Sequence, residues 1–214
     1  MDNNELCFNI TNISKSYGKK VILDNVSLNA RAGEAIGILG VNGSGKSTFL
    51  SSVARTYSKQ GYSIGYIPQE NPLLDELKPV DNIKLWTKLN KKQIISVLES
   101  PSLAPLGVYN FLDTPVSKMS GGMKKRLSIA TVLINNPDIL LMDEPFSALD
   151  LVAKQDILGF MRSYLSSGKI IIVASHDEDI FQFCSSVYLL KDAQLTDTAA
   201  LSRQGINYID MLRS

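Results

Sequence analysis

The stretch Gly40-Val41-Asn42-Gly43-Ser44-Gly45-Lys46-Ser47-Thr48 constrains this chain more than any other. It fits G-x-x-x-x-G-K-[ST], the pattern of a loop that cradles phosphates, which carries meaning only between a strand and a helix. That context is present. The apolar run Ala35 to Leu39 leads in, and Thr48-Phe49-Leu50 leads out along a predicted helix ending near Tyr57. Glycines at 40, 43 and 45 let the backbone fold back so that successive N–H groups point at an anion. The following helix turns its positive dipole end to the same point. Lys46 can then reach β- and γ-phosphates, and the Ser47 hydroxyl is placed for Mg²⁺. The loop therefore predicts binding of a nucleoside triphosphate.

Other strand ends can be read against that loop, because ligands in open α/β sheets gather at the carboxyl ends of strands. Tyr62 to Ile67 reads as a short strand, closed by Pro68-Gln69-Glu70-Asn71-Pro72, which its prolines keep non-helical. Gln69 is thereby a candidate rather than an ordinary solvated loop residue. Ile139 to Met142 is an apolar strand ending in Asp143-Glu144. The first acid is set to hold Mg²⁺ and the second can polarise an attacking water. Ile170 to Ala174 is another buried strand, ending in Ser175-His176-Asp177, and His176 is the one histidine of the chain. Before the loop, Leu6 to Ile13 and Val21 to Leu28 read as strands, with a turn at Ser14–Gly18 and a break at Asp24-Asn25. Tyr17, within that turn at the strand end, is either an aromatic packed on an edge or a stacking platform for a purine.

From Asp75 to about Pro115 the pattern changes. Ile83, Trp86 and Leu89, then Ile94, Val97 and Leu98, recur at helical spacing without a strand-like run between them. This predicts a small helical insertion, with Trp86 in its core or, alternatively, on a face that docks a partner. Ser120 then N-caps a helix running to about Ile134. Gly121 and Gly122 leave its first N–H groups open, which makes a second anion site or simply a capped turn. Ser147-Ala148-Leu149-Asp150 caps a further helix to about Ser166, and residues 199–213 are predicted as a terminal helix.

Composition narrows the function. A net charge of +1 gives no electrostatic footprint for nucleic acid. The longest apolar runs fall far short of a membrane span. Met1 to Glu5 lack the basic and apolar regions of a signal peptide. Cys7 and Cys184 form neither a disulfide framework nor a metal-ligand spacing, as expected in a reducing cytoplasm.

Tyr17, the phosphate loop, Gln69, Ser120-Gly121-Gly122-Met123, Asp143-Glu144, Ser147 to Asp150 and His176 follow one another in the order of the ATP-binding cassette (ABC) family. The chain resembles a stand-alone nucleotide-binding subunit of an ABC transporter, over nearly its whole length. The resemblance implies an α/β fold: a P-loop NTPase core of mixed sheet with flanking helices, an N-terminal antiparallel β part and an inserted small helical subdomain. Residues 1–72 and 116–214 would form the core and about 75–115 the helical subdomain, which extends through the helix after Ser120 to about 135.

The resemblance also implies roles. Tyr17 stacks on adenine, and Gly40, Asn42, Gly43, Ser44, Gly45, Lys46, Ser47 and Thr48 hold the phosphates of ATP. Ser47, Gln69 and Asp143 serve Mg²⁺, Glu144 is the general base, and His176 senses the γ-phosphate. Asp150 belongs to a loop coupling paired subunits, and Ser120, Gly121 and Gly122 form a signature that contacts ATP held by the opposite subunit. A head-to-tail pair of cassettes, two copies or a copy and a homologue, would close over two ATPs; both phosphate-binding helix ends meeting one ATP within a subunit is the alternative. Met123 departs from the family's usual Gln, and Ser-Gly-Gly-Met with basic residues after it is similar to subunits that serve export-type permeases. The expected activity is ATP hydrolysis energising a permease on a separate membrane chain, from a cytoplasmic, peripheral position at the inner face of the membrane. No nucleic-acid partner is expected. The alternatives are a soluble ABC ATPase acting on nucleic acid or the ribosome, and a nucleotide-gated module with little turnover.

Overall fold

A computed structural model describes residues 6–147, 149–176, 182–204 and 207. The chain begins as a hairpin of β1 (Cys7–Tyr17) and β2 (Lys20–Arg31). Phe8, Ile10 and Ile13 are buried on one strand, and Leu23, Val26, Leu28 and Ala30 on the other. Strict alternation would send Ile10 and Ile13 to opposite faces. The pairing slips between them, and Asn12 beside the slip has φ 55°. Such a bulge inserts one residue and returns the next apolar side chain to the core. The turn expected at Ser14–Gly18 is not there: β1 continues through Tyr17 and the chain reverses at Gly18-Lys19. Gly18, at φ 57°, supplies the positive φ that a two-residue hairpin turn asks of its first position.

The main sheet has the order β4-β5-β6-β3-β7-β8 among the described residues. Its strands are β3 (Ala35–Leu39), β4 (Ile64–Ile67), β5 (Ile139–Asp143), β6 (Ile170–Ser175), β7 (Ser186–Lys191) and β8 (Gln194–Asp197). All neighbours are parallel except β7 and β8. Strands β3, β5 and β6 are buried along their whole length, as parallel strands covered on both faces must be. Alternate residues feed two cores. Ile36, Ile38, Leu141 and Ile172 pack with the hairpin and α1 (Lys46–Lys59), while Leu140, Met142, Ile171 and Val173 pack with the helices opposite.

Between β4 and β5 lie α2 (Pro79–Lys84), α3 (Lys91–Leu98), several 3₁₀ turns and α4 (Gly121–Leu133). Asn90 caps α3 through a reciprocal capping box with Gln93. Ile83, Ile94, Leu98, Leu106 and Val116 form the interior of this segment. Trp86 does not join them: it is 56% exposed. Helix α2 stops at Lys84, so the helical phase that would have carried Trp86 inward ends before it. After β5, α5 (Leu151–Ser166) is capped by Asp150, whose carboxylate accepts from Ala153 N at 2.7 Å. Of the expected terminal helix, α6 (Thr198–Arg203) is seen, with Gln204 as its C-cap; residues 205, 206 and 208–213 lie outside the described residues. Ala148 lies outside them too.

Candidate active site

The phosphate loop leaves β3 at Leu39 and enters α1 at Lys46, with glycine needed where the backbone comes closest to its surroundings. A Cβ on Gly40 would stand 2.5 Å from Ser44 Oγ and 2.9 Å from the Leu190 carbonyl. Gly45, at φ 108°, is the N-cap of α1 and offers it no side-chain acceptor. The first N–H groups of α1 are thus left for a ligand beside the loop. Lys46 is 6% exposed and folds back, Nζ donating to the Gly40 carbonyl at 2.8 Å and the Val41 carbonyl at 3.4 Å.

Across a cleft of about 380 Å³ stand the acids. Asn42, Gly43, Gly45, Lys46, Ser47 and Thr48 line one wall, and Gln69, Asp143 and Glu144 the other. Asp143 closes β5, and burial, above all, raises its carboxyl pKa. The Ser47 hydroxyl works the other way by hydrogen bonding to it, Glu144 adds to the rise, and Lys46 and Lys125 oppose it. Asp143 Oδ1 is buried and accepts no hydrogen bond among the described residues. Glu144 is 5% exposed and held at φ 45°, a left-handed conformation that a non-glycine residue adopts at a cost. Its backbone N donates to the Ala174 carbonyl at 2.9 Å, and Ser175 Oγ donates to its Oε2 at 3.2 Å. Oε1 accepts no well-aligned hydrogen bond, yet it lies 2.9 Å from His176 Nδ1 and 3.5 Å from Lys46 Nζ.

The fold brings Lys46, Ser47, Gln69, Asp143, Glu144 and His176, which the sequence analysis singled out, to one place. Three neighbours were missed in the sequence. Ser175 orients Glu144 from the residue before His176. Tyr66, on β4, has its phenol pushed up to about 12 by burial and then by the charge and hydrogen bonding of Asp143. Lys125 is 3% exposed, and burial lowers its pKa to about 8 against the pull of Asp143 and Glu144. The signal for Lys125 was its place three residues after Gly122, on the buried side of α4.

The remaining predicted site residues stand apart from this cleft. Ser120 and Gly121 are exposed at the start of α4, where Ser120 Oγ accepts from Met123 N at 3.3 Å, and neither lines the cleft. Gly122 is buried against α5: its added Cβ would meet Ala153 Cβ at 2.9 Å. Asp150 caps α5 and does not line the cleft either. Tyr17 is 59% exposed on the hairpin, with Lys15 Nζ 5.3 Å from its ring centroid. A second cleft of about 630 Å³ shares Ile22, Asn42 and Gly43 with the phosphate cleft and is bordered by Lys20, the register partner of Tyr17.

Residues 23–147 match the family described as ABC transporter. The chain is 36% identical over 182 residues to the lantibiotic transport ATP-binding protein SrtF of Streptococcus pyogenes, covering 78% of this chain and 79% of that protein. It is 32% identical over 209 residues to the Nod factor export ATP-binding protein I of Rhizobium meliloti, covering 87% of this chain and 62% of the relative. Its fold is similar to the dimeric structure of MJ0796, a bacterial ABC transporter cassette, with a TM-score of 0.74 and 25% identity over 89% of this chain and 96% of the other. The chain belongs to the ABC transporter family. It is the ATP-binding, ATP-hydrolysing subunit of a transporter, which sets aside the nucleic-acid, ribosomal and low-turnover alternatives. ABC subunits of this kind work with membrane permeases and pair with one another.

Proposed function

We propose that this subunit hydrolyses ATP in composite sites, each built from the phosphate cleft of one cassette and the Ser120-Gly121-Gly122 signature of a second. The observation that carries this reading is the separation within one chain: the open N-terminus of α4 contributes nothing to the cleft that holds Lys46 and Glu144. Both ends are suited to phosphate, and a closed head-to-tail pair uses each twice. The second cassette is another copy or a homologue.

On ATP binding, Lys46 leaves the Gly40 carbonyl and Glu144 for the β- and γ-phosphates, and the N–H groups of residues 43–48 take the remaining phosphate oxygens. Glu144 accepts a proton from the water that attacks the γ-phosphorus, while Ser175 and His176 hold its carboxylate in place. Adenine stacks on Tyr17, with the nucleoside occupying the cleft beside Lys20. Asp150, at the start of α5, links the two cassettes. The residues also fit Mg²⁺. Asp143 offers a buried, unsatisfied oxygen, with the Ser47 hydroxyl and the Gln69 amide as further hard donors, and Mg²⁺ is usually held by few carboxylates plus substrate phosphates. Bound there, the ion would neutralise charge on the phosphates.

Trp86 takes its alternative role, on a docking face. An apolar groove of about 270 Å³ lined by Tyr66, Leu73, Trp86, Thr131, Val132 and Pro137 runs between the β4 edge and the helical insertion. It receives a cytoplasmic segment of a separate permease, and through it nucleotide state reaches the membrane. Among the described residues no helix is long and apolar enough to cross a membrane, in keeping with a peripheral position at the inner face. The Ser-Gly-Gly-Met signature and the similarity to a Nod factor export protein support export as the direction.

Mixing two inactive variants tests the composite site. Lys46→Ala removes the phosphate lysine, and Gly121→Asp places a carboxylate where the partner's phosphate would sit. Each alone is inactive. In a mixed pair one composite site keeps both wild-type halves, so activity returns to about half the wild-type value per dimer at most. Failure of any mixture to recover activity refutes sharing between subunits.

A further inference from the structure

Lys125 is a charged side chain buried inside α4 for which the proposed ATP chemistry gives no direct task. It is 3% exposed, and Nζ donates to the Pro68 carbonyl at 3.2 Å and the Gln69 carbonyl at 3.3 Å. Burying an ammonium is costly unless its donors are satisfied, so these contacts, together with the charges of Asp143 and Glu144, make the position tenable. The loop gains as much as the lysine. Residues 68–74 have no regular structure, Pro68 brings no N–H, and the buried Asn71 Oδ1 lacks a partner among the described residues. The segment thus depends on side chains to fix its backbone. Lys125 grips it at Gln69, whose own side chain lines the phosphate cleft.

The signature lies at the start of the same helix, one turn before Lys125. Gly122 and Lys125 lie on one buried side of α4, less than a turn apart, and Gly122 is wedged on Ala153. The start of α4, Lys125 and the Gln69 backbone therefore form one continuous path of contacts. We infer that Lys125 is a positioning residue through which α4 sets Gln69, so that engagement of this subunit's signature with the partner's ATP adjusts the subunit's own phosphate cleft. This rests on the proposed roles of Gln69 and of the signature.

A double-mutant cycle tests it, using ATP turnover by the whole subunit with its thermal midpoint as a fold check. Lys125→Met removes both donors while keeping a flexible side chain of similar length. The expected result is a kcat lowered by about tenfold with KM for ATP within about twofold, the pattern of an interaction lost in the transition state rather than in binding. Gln69→Ala is expected to lower kcat similarly. The double variant should then be no slower than Gln69→Ala alone, because Lys125 acts through Gln69. Lys125→Arg, which keeps charge and donors, should stay within about threefold of wild type. Should Lys125→Met fail to fold, Lys125→Gln, which retains an N–H donor group, enters the cycle with the same expectation of non-additivity. Additive losses, a rise in KM that matches the fall in kcat, or a kcat untouched by Lys125→Met overturn the inference and leave the Gln69 assignment standing. A kcat unaffected by Gln69→Ala overturns both.

Discussion

Replacing Glu144 with Gln separates binding from chemistry at this site. The residue is 5% exposed, with Ser175 Oγ at 3.2 Å, His176 Nδ1 at 2.9 Å and Lys46 Nζ at 3.5 Å. Gln has the same shape and can still accept from Ser175, so the strained turn at φ 45° keeps its anchors. What disappears is basicity and one negative charge. Loss of a general base lowers kcat by about 10²–10⁴-fold, which corresponds to about 2.7–5.5 kcal/mol of transition-state stabilisation. ATP affinity should move the other way. Lys46 has to leave Glu144 before it can reach phosphate, and both side chains are only 6% exposed, so solvent screens the pair weakly. Removing a competing contact worth about 1 kcal/mol tightens binding by roughly fivefold. Steady-state phosphate release gives the first quantity and calorimetric titration with ATP the second. A kcat within threefold of wild type refutes Glu144 as base. An affinity no tighter than that of the wild type refutes the competition between Glu144 and phosphate for Lys46.

Two further outcomes follow from packing and burial. Gly65→Ala on β4 would bring a Cβ to 2.6 Å from Val132 Cγ1 and 2.9 Å from Pro137 Cγ, so overpacking should cost about 1–3 kcal/mol in urea unfolding; an unchanged midpoint contradicts the close strand–helix contact. Burial pushes the Cys184 thiol up to about 12, leaving about one part in ten thousand as thiolate at pH 8, whereas Cys7 is exposed. One thiol per chain should therefore react with an aromatic disulfide reagent in the native protein, and both only after denaturation.

The strand-end chemistry was legible because it depends on local order. A glycine loop, a pair of acids and a histidine each close an apolar run, and parallel β3, β4, β5 and β6 bring those ends to one edge. Features that depend on where a chain leaves its periodic pattern were not legible. Ile83, Trp86 and Leu89 share a spacing of three, but α2 ends at Lys84 and the pattern loses its helical meaning there. The hairpin turn was misplaced because Ser14 to Tyr17 looks like turn composition, while the bulge at Asn12 and the positive φ of Gly18 decide where the strand runs and stops. Lys125 was hidden for a different reason. Periodicity marks its position as buried, but only the fold shows that two loop carbonyls wait there.

The surface around the signature argues for pairing independently of any phosphate. Leu151 and Val152 are 73% and 71% exposed at the start of α5, directly after Asp150. Isolated exposed apolar residues need no explanation, but these stand at the end of α5 that touches α4. The contact is tight: Gly122 has no room for a Cβ against Ala153. The N-termini of α4 and α5 are thereby packed against each other, which sets the apolar pair and Asp150 at the same end of the helix pair as the exposed Ser120 and Gly121. A second cassette that placed its γ-phosphate at Ser120 would also come within reach of Leu151 and Val152. Burial of those side chains, at about 25 cal/mol per Å² of apolar surface, then adds to closure a term that does not weaken with salt. The phosphate contact would make closure depend on ATP, and the apolar contact would make the closed pair hold.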